Sequence, residues 1–159
     1  GPLYPGTCRH RAPDERRRLM DAGTEFALRL DAAKAAATAG PYTFHDALHG
    51  DVEGNPLLFG DVVIARKDTP TSYHLAVTVD DHLQGVTLVT RGEDLYPATH
   101  VHVLLQRLLG YPTPRYAHHR LLPDSEGRRF AKRDRSLTLR AMREAGASPD
   151  TVRRRAGFG

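Results

Sequence analysis

The sequence has few cysteines and lysines and no long apolar run. The single cysteine, Cys8, excludes a disulfide within the chain. No apolar run approaches the length of a membrane span or a signal peptide, so we expect a cytoplasmic protein. No segment repeats at a solenoid period, and the phosphate-loop pattern Gly-x-x-x-x-Gly-Lys-Ser/Thr is missing.

What the chain does have is arginine. Its 159 residues suffice for one domain or a piece of a larger one, and a 40% apolar content is compatible with a real core. Twenty arginines against three lysines contribute to a net charge of +4. The arginines cluster at Arg16–Arg18, Arg128–Arg135 and Arg153–Arg155. The clusters indicate either a phosphate-bearing partner or a solvated basic surface, and composition leaves both open.

The first 70 residues have the pattern of a small mixed α+β unit. "APDERRRLMDAG" predicts a helix, because Pro13 stands early, acids follow it and Gly23 comes after the end. "AAKAAATAG" predicts a second short helix ended by Gly40. Three further segments favour strands: "EFALRLD", "YTFHDALHGDVEG" and "GDVVIARKD".

After Pro70 helices alternate with single strands, which predicts a parallel sheet with crossovers. The helices are "SYHLAVTVDDHLQ", "DLYPATHVHVLLQRLLG" and "DRSLTLRAMREAG", the last with Asp134 or Ser136 as its N-cap. "GVTLVTRG" is expected to be a buried parallel strand, and "RYAHHRLL" is a further strand. Because ligands bind outside the carboxyl ends of such strands, "RGED" lies where a ligand would be held.

Arg91 is the first candidate binding residue. A guanidinium at a strand end offers a fork of donors that matches a carboxylate or a phosphate. The alternative is a structural ion pair with Glu93, Asp94 or Asp80, which spacing alone favours. Tyr73 is the second candidate, either as a packing residue or with its hydroxyl presented to a ligand.

Two other segments carry candidate chemistry. The basic stretch "GRRFAKRD" contains Lys132 and suits a polyphosphate, although a solvated basic turn is the simpler interpretation. Tyr4 and Cys8 are too few for a structural zinc site, which normally needs four ligands. The histidine pairs His100/His102 and His118/His119 are given no ligand role, since neighbours on one element do not converge on a metal.

Taken together, "YPGTCR", "GDVVIARKDTPTSYHLAVTVDDHLQGVTLVTRGEDL" and "GRRFAKRD" resemble the glutamyl-tRNA synthetase group of class I synthetases. The resemblance runs in order from Tyr4 to about Gly146. Within the group, "RGEDLYPATHVHVLLQRLLGY" favours the short glutamyl-Q tRNA(Asp) synthetases, because the longer enzymes usually continue "RGEDH" and then "SNTPKQ".

The resemblance implies an α/β fold in two parts. Residues 1–70 would be the remainder of a small α+β zinc-region insertion, and residues 71–159 the C-terminal half of a Rossmann-like catalytic domain. The family activates L-glutamate with ATP and Mg to glutamyl-adenylate, and the short members transfer glutamate to the queuosine of tRNA(Asp). We therefore expect an aminoacyl-tRNA synthetase-like ligase, acting as a monomer.

The same resemblance implies the site residues. Tyr73 and Arg91 match positions that bind glutamate, and Tyr4 and Cys8 match the last two of four zinc ligands. The segment Arg129, Phe130, Ala131, Lys132, Arg133 stands in place of the family's ATP-binding "KMSKS" loop. Lys132 matches the catalytic lysine that contacts the ATP phosphates, whereas Ala131 lacks the usual hydroxyl.

The upstream Cys-x-Cys and the ATP-holding "HIGH" signature are not found in these residues. We therefore expect a fragment that is inactive by itself, because half a phosphate site cannot orient ATP. Two alternatives stay open: a fragment of a synthetase that charges tRNA(Glu), and a noncatalytic tRNA-binding remnant.

Overall fold

The computed structural model describes residues 3–122 and 138–158. Its helices are α1 (Pro13–Asp21), α2 (Ala32–Ala39), α3 (Tyr73–Leu83), α4 (Tyr96–Leu109), α5 (Leu139–Glu144) and α6 (Pro149–Arg155). Its strands are β1 (Ala27–Arg29), β2 (Thr43–Asp46), β3 (Gly50–Glu53), β4 (Val63–Arg66), β5 (Leu88–Gly92) and β6 (Arg115–His119). A 3₁₀ turn, Glu93–Leu95, joins β5 to α4. The chain divides into two compact units, residues 1–119 and 120–159.

A four-stranded sheet in the order β3-β2-β6-β5 lies within the first unit. β2, β6 and β5 run parallel, and β3 pairs antiparallel with β2. The predicted crossover is present, because α4 joins β5 to its parallel neighbour β6. β1 and β4 form a separate antiparallel pair.

The expectation that β5 is a buried strand is wrong. Within the described ranges β5 is the outer strand of the sheet, and Leu88 is 45% exposed. A strand that is paired on one side leaves its other edge uncovered, so apolar residues on it keep part of their surface in solvent.

The sheet joins strands from both sides of Pro70. β2 and β3 precede that residue, whereas β5 and β6 follow it. The boundary predicted after residue 70 concerns an insertion in a longer fold, and it stays a prediction.

Helix α4 supplies much of the core of the first unit. Val103 and Leu104 are almost fully buried and cluster with Phe44 of β2 and Tyr116 of β6. The rings of Phe44 and Tyr116 meet edge to face with centroids 5.7 Å apart. α4 ends at Gly110, whose φ of 70° is in the left-handed region that favours glycine. The core thus anchors α4 against β2 and β6.

Residues 138–158 of the second unit form two short helices. α5 begins at Leu139, and the Oγ1 of its N-cap Thr138 accepts a hydrogen bond from the Ala141 N–H at 3.1 Å. The predicted caps Asp134 and Ser136 are therefore not the start of this helix, and they lie outside the described residues. α6 carries Arg153–Arg155 exposed in its last turn. No helix in the described ranges is long and apolar enough to cross a membrane.

Candidate active site at the ends of three parallel strands

Three polar side chains lie together near the carboxyl ends of β2, β5 and β6. Asp46 is the last residue of β2, Arg91 is the penultimate residue of β5, and His118 is the penultimate residue of β6. Arg91 and His118 are directly paired in the register of β5 and β6. Parallel strands place their carboxyl ends at one edge of the sheet, which explains how residues far apart in sequence meet here.

The guanidinium of Arg91 is half-buried, and three of its N–H groups are engaged. Nε donates to His118 Nε2 at 3.0 Å, and Nη2 donates to Thr99 Oγ1 at 2.5 Å. Nη1 lies 2.9 Å from His102 Nδ1 and donates to it, because an arginine has no acceptor. The guanidinium carbon also lies 5.3 Å from the centroid of the Tyr116 ring. Arg91 is thus held mainly by neutral groups.

This arrangement differs from the structural ion pair that spacing alone favoured. Within the described ranges Arg91 makes no ion pair with Glu93 or Asp80. Glu93 Oε1 instead lies 3.9 Å from His49 Nε2. The positive charge of Arg91 is therefore not directly neutralised by either of these carboxylates.

His118 connects Arg91 to the carboxylate of Asp46. Its Nδ1 lies 2.5 Å from Asp46 Oδ2, and both side chains are fully buried. The other carboxylate oxygen, Oδ1, accepts hydrogen bonds from the backbone N–H groups of Leu48 and His49 at 2.9 and 3.1 Å. Burial would raise the pKa of Asp46, but the hydrogen bonds from His118 and from the two backbone N–H groups lower it overall. Asp46 is therefore a buried carboxylate that stays ionised.

A second histidine pair supports the other side of the guanidinium. His102 Nε2 lies 3.0 Å from His74 Nδ1. Burial, the charge of Arg91 and the neighbouring His74 together lower the pKa of His102 to about 3. Burial and the charge of Arg91 lower the pKa of His74 as well. His102 is thus a neutral acceptor for Arg91 at physiological pH.

Tyr73, the second predicted glutamate-binding residue, lies beside His102. It is the first residue of α3, it is 53% exposed, and its ring lies 5.7 Å from that of His102. His102 accordingly contacts both predicted glutamate-binding residues, Tyr73 through its ring and Arg91 through Nδ1. Helix α3 is placed by the N-cap Ser72, whose Oγ accepts from the Leu75 N–H at 3.3 Å.

A cavity of about 500 Å³ opens beside Tyr73. Its lining includes Arg29, Arg66, Ser72 and His74, whereas Arg91 is not among the residues that line it. The cavity therefore lies on the side of Tyr73 that faces β1 and β4.

The candidate zinc ligands lie close together in the N-terminal loop. Tyr4 Oη accepts a hydrogen bond from the backbone N–H of exposed Cys8 at 2.7 Å, and Arg29 lies over the Tyr4 ring at 4.3 Å. The phenol oxygen therefore contacts the backbone of Cys8, and the role of these two residues as zinc ligands stays a prediction. Among residues 3–122 and 138–158 no group of three His, Cys, Asp or Glu side chains could hold a metal ion.

The predicted ATP-binding segment, Arg129–Arg133 with Lys132, lies outside the described residues. Its role stays a prediction.

Sequence reasoning missed most of the partners of Arg91. Asp46, Thr99, His102 and His118 were not proposed for any role at this site, although both histidines belong to the pairs His100/His102 and His118/His119. The only signal was positional: Asp46 and His118 stand at the ends of strands that turn out to be parallel. Nothing in the spacing indicated that β2 and β6 would pair.

Comparisons with known proteins identify the family of the chain. The model of the family described as tRNA synthetases class I (E and Q), catalytic domain, matches residues 2–156. The chain belongs to this family. The resemblance on which the sequence predictions were based is thereby confirmed.

Individual relatives cover almost all of the chain. A Rhodobacter capsulatus protein named Glutamyl-Q tRNA(Asp) synthetase is 48% identical over 99% of this chain and 57% of its own length. One of the same name from Nocardia farcinica is 44% identical over 96% of this chain and 47% of its own length. An Aquifex aeolicus glutamate–tRNA ligase is 35% identical over 94% of this chain and 31% of its own length.

A solved structure has the same fold. Glutamate-tRNA synthetase from Elizabethkingia anophelis matches with a TM-score of 0.63 and 28% identity, over 83% of this chain and 27% of that chain. The chain therefore has the mixed α/β fold of a class I synthetase catalytic domain. It spans about half the length of the glutamyl-Q tRNA(Asp) synthetases that it matches.

Proposed function

We propose that the protein carrying this chain activates L-glutamate with ATP to glutamyl-adenylate and transfers glutamate to the queuosine of tRNA(Asp). The relatives named Glutamyl-Q tRNA(Asp) synthetase support this choice of RNA, since they share 48% and 44% of aligned residues against 35% for the glutamate–tRNA ligase. Transfer to tRNA(Glu) is the competing outcome.

The observation that carries the proposal is the hydrogen bonding of the Arg91 guanidinium. An arginine has five N–H donors, and three are used by His118, His102 and Thr99. One donor remains on each terminal nitrogen, and within the described ranges neither Glu93 nor Asp80 forms an ion pair with the group. A carboxylate ligand would therefore meet a preoriented guanidinium with two available donors. We assign Arg91 to a carboxylate of glutamate, with Tyr73 beside it.

The remaining roles follow from the family pattern. Lys132, with the segment Arg129–Arg133, would stabilise the charge that develops on the ATP phosphates and the leaving pyrophosphate. Tyr4 and Cys8 would supply two zinc ligands from the insertion. The described fold would be the C-terminal half of a Rossmann-like domain. The "HIGH" signature is not among the 159 residues, so we expect no adenylate formation from these residues alone.

The test uses the full-length protein. We expect glutamate-dependent ATP–pyrophosphate exchange, and transfer of labelled glutamate to tRNA(Asp) that carries queuosine. Unmodified tRNA(Asp) is the matched control, because it differs only in the acceptor base and should not be labelled. Charging of tRNA(Glu) would replace the proposal with the synthetase alternative. Binding of tRNA without any exchange would indicate a noncatalytic remnant.

The Arg91→Lys variant tests the site itself. Lysine keeps the charge but replaces the planar fork with one ammonium group, so it cannot serve three protein acceptors and a ligand carboxylate together. We expect the KM for glutamate to rise at least about tenfold, since hydrogen bonds between charged groups contribute roughly 1.5–3 kcal/mol each. The KM for ATP should change little.

A further inference from the structure

The buried pair of Asp46 and His118 is not used by the proposed reaction, yet it is fully enclosed and in direct contact with Arg91. A buried carboxylate costs free energy unless it is paired and hydrogen-bonded. Asp46 meets that condition, because its two oxygens together accept from His118 and from two backbone N–H groups. Packing alone does not explain why a buried, hydrogen-bonded pair of Asp46 and His118 is in contact with Arg91.

The hydrogen bonds define which nitrogen of His118 carries the proton. Arg91 Nε can only donate, so His118 Nε2 must be the acceptor and bears no hydrogen. The ring proton is then on Nδ1, where it is donated to Asp46 Oδ2. The reverse tautomer would point an N–H of His118 at the N–H of Arg91.

The same chain of bonds separates two charges. The positive guanidinium of Arg91 and the negative carboxylate of Asp46 are bridged by a neutral imidazole instead of touching. Direct contact would use the guanidinium donors for an internal carboxylate and leave fewer for a ligand. With the imidazole between them, Asp46 balances the buried charge, while the terminal nitrogens of Arg91 stay available.

We propose that His118, held by Asp46 with its proton on Nδ1, is a positioning residue for Arg91 in binding the substrate carboxylate. His118 and Thr99 lie 3.3 Å apart and accept from Nε and Nη2, two nitrogens that form one edge of the guanidinium. That edge is held by the protein, so the group cannot rotate about its long axis. The proposal rests on the proposed function only for the identity of the ligand.

The Asp46→Asn variant is the informative perturbation. The side-chain oxygen of asparagine would keep the two backbone N–H bonds made by Oδ1, which places its NH2 group against His118 Nδ1. That NH2 group can only donate, so His118 must move its proton to Nε2 and present a donor to Arg91. The shape of the pair is retained, whereas the acceptor for Arg91 is lost.

The primary readout is the tautomer of His118, measured from ¹H–¹⁵N correlation spectra of full-length protein with ¹⁵N-labelled histidine. We expect the proton on Nδ1 in the wild type and on Nε2 in the Asp46→Asn variant. Finding the proton on Nε2 in the wild type would overturn the proposal. This readout does not require catalytic activity, so it separates failure of the positioning role from failure of the proposed function.

The second readout is the KM for glutamate in ATP–pyrophosphate exchange. Asp46→Asn should raise it by about 10- to 100-fold with little change in the KM for ATP, because charge-assisted hydrogen bonds contribute roughly 1.5–3 kcal/mol. Asp51→Asn is the matched control, since Asp51 makes the same kind of bond to His45 at 2.8 Å on the exposed surface. A similar KM for the two variants would contradict the proposal.

The His118→Gln variant keeps the test decisive should Asp46→Asn fail to fold. A glutamine oxygen can replace the Nε2 acceptor and needs no particular tautomer, whereas His118→Leu removes the acceptor. We expect a lower KM for glutamate in His118→Gln than in His118→Leu. Equal values in these two variants would show that the acceptor is irrelevant and that His118 contributes packing alone.

Discussion

Replacing His102 with asparagine should change how the stability of this protein depends on pH. His102 is 2% exposed, and its pKa falls from 6.5 to about 3 through burial, the charge of Arg91 and the neighbouring His74. As the pH falls below 6.5, the unfolded chain takes up a proton at this residue while the folded protein does not. Folding stability is therefore present above pH 6.5 and is lost progressively as the pH falls towards 3.

The expected size follows from the shift. One pKa unit corresponds to about 1.36 kcal/mol, so near pH 4.5 His102 should reduce the free energy of unfolding by about 2.7 kcal/mol relative to neutral pH. The asparagine oxygen can still accept from Arg91 in place of Nδ1, but it does not titrate. The cost of His102→Asn should therefore be largest at neutral pH and shrink by about 2.7 kcal/mol near pH 4.5.

Chemical denaturation followed by far-ultraviolet circular dichroism, between about pH 4.5 and pH 7.5, measures this difference. His74 and Asp46 titrate in both proteins, so their contributions cancel to first order. Leu105→Ala is the control, because Leu105 is buried in the same helix and does not titrate. A cost of His102→Asn that stays constant across this range, as for Leu105→Ala, would refute the reasoning.

Three further predictions concern the core, a helix cap and the RNA surface. Leu104→Ala should destabilise the protein by about 2–5 kcal/mol, because Leu104 is 1% exposed, while Leu109→Ala on the same helix, 43% exposed, should cost much less in the same denaturation assay. Ser72→Ala removes the acceptor for the Leu75 N–H and should cost about 1 kcal/mol of unfolding free energy; an unchanged denaturation midpoint would contradict the cap assignment. Replacing Arg153–Arg155 with glutamine should weaken tRNA binding and reduce the slope of log K against log salt concentration by about two to three. An unchanged slope would show that these exposed arginines do not contact RNA phosphates.

Helix ends were predicted well where a single residue type restricts the backbone conformation. Pro13 opens α1 and Gly110 closes α4 with a positive φ, as the spacing indicated. These preferences act within one helical turn, so they can be recognised in a sequence of any fold. The start of α5 was misplaced, because several hydroxyl and carboxyl residues nearby are all acceptable caps and only one is used.

The candidate site was predictable only in part. Tyr73 and Arg91 stand in a specific motif, and their nearness to His102 follows from the crossover of α3, β5 and α4. The bond between His118 and Asp46 joins residues 72 positions apart. It depends on β2 pairing in parallel with β6, a choice that neither strand's own pattern of residues contains.

Sequence patterns alone indicated most of the helices and strands, because propensity, capping and periodicity act between residues close along the chain. Its motif also determined the family, which the match to residues 2–156 confirms. The balance of charge around Arg91, in contrast, depends on contacts between residues that are distant in sequence. Burial lowers the local dielectric and makes unpaired charge costly, so the neighbours that the fold brings within 3 Å determine which groups ionise and which nitrogen of a histidine carries its proton.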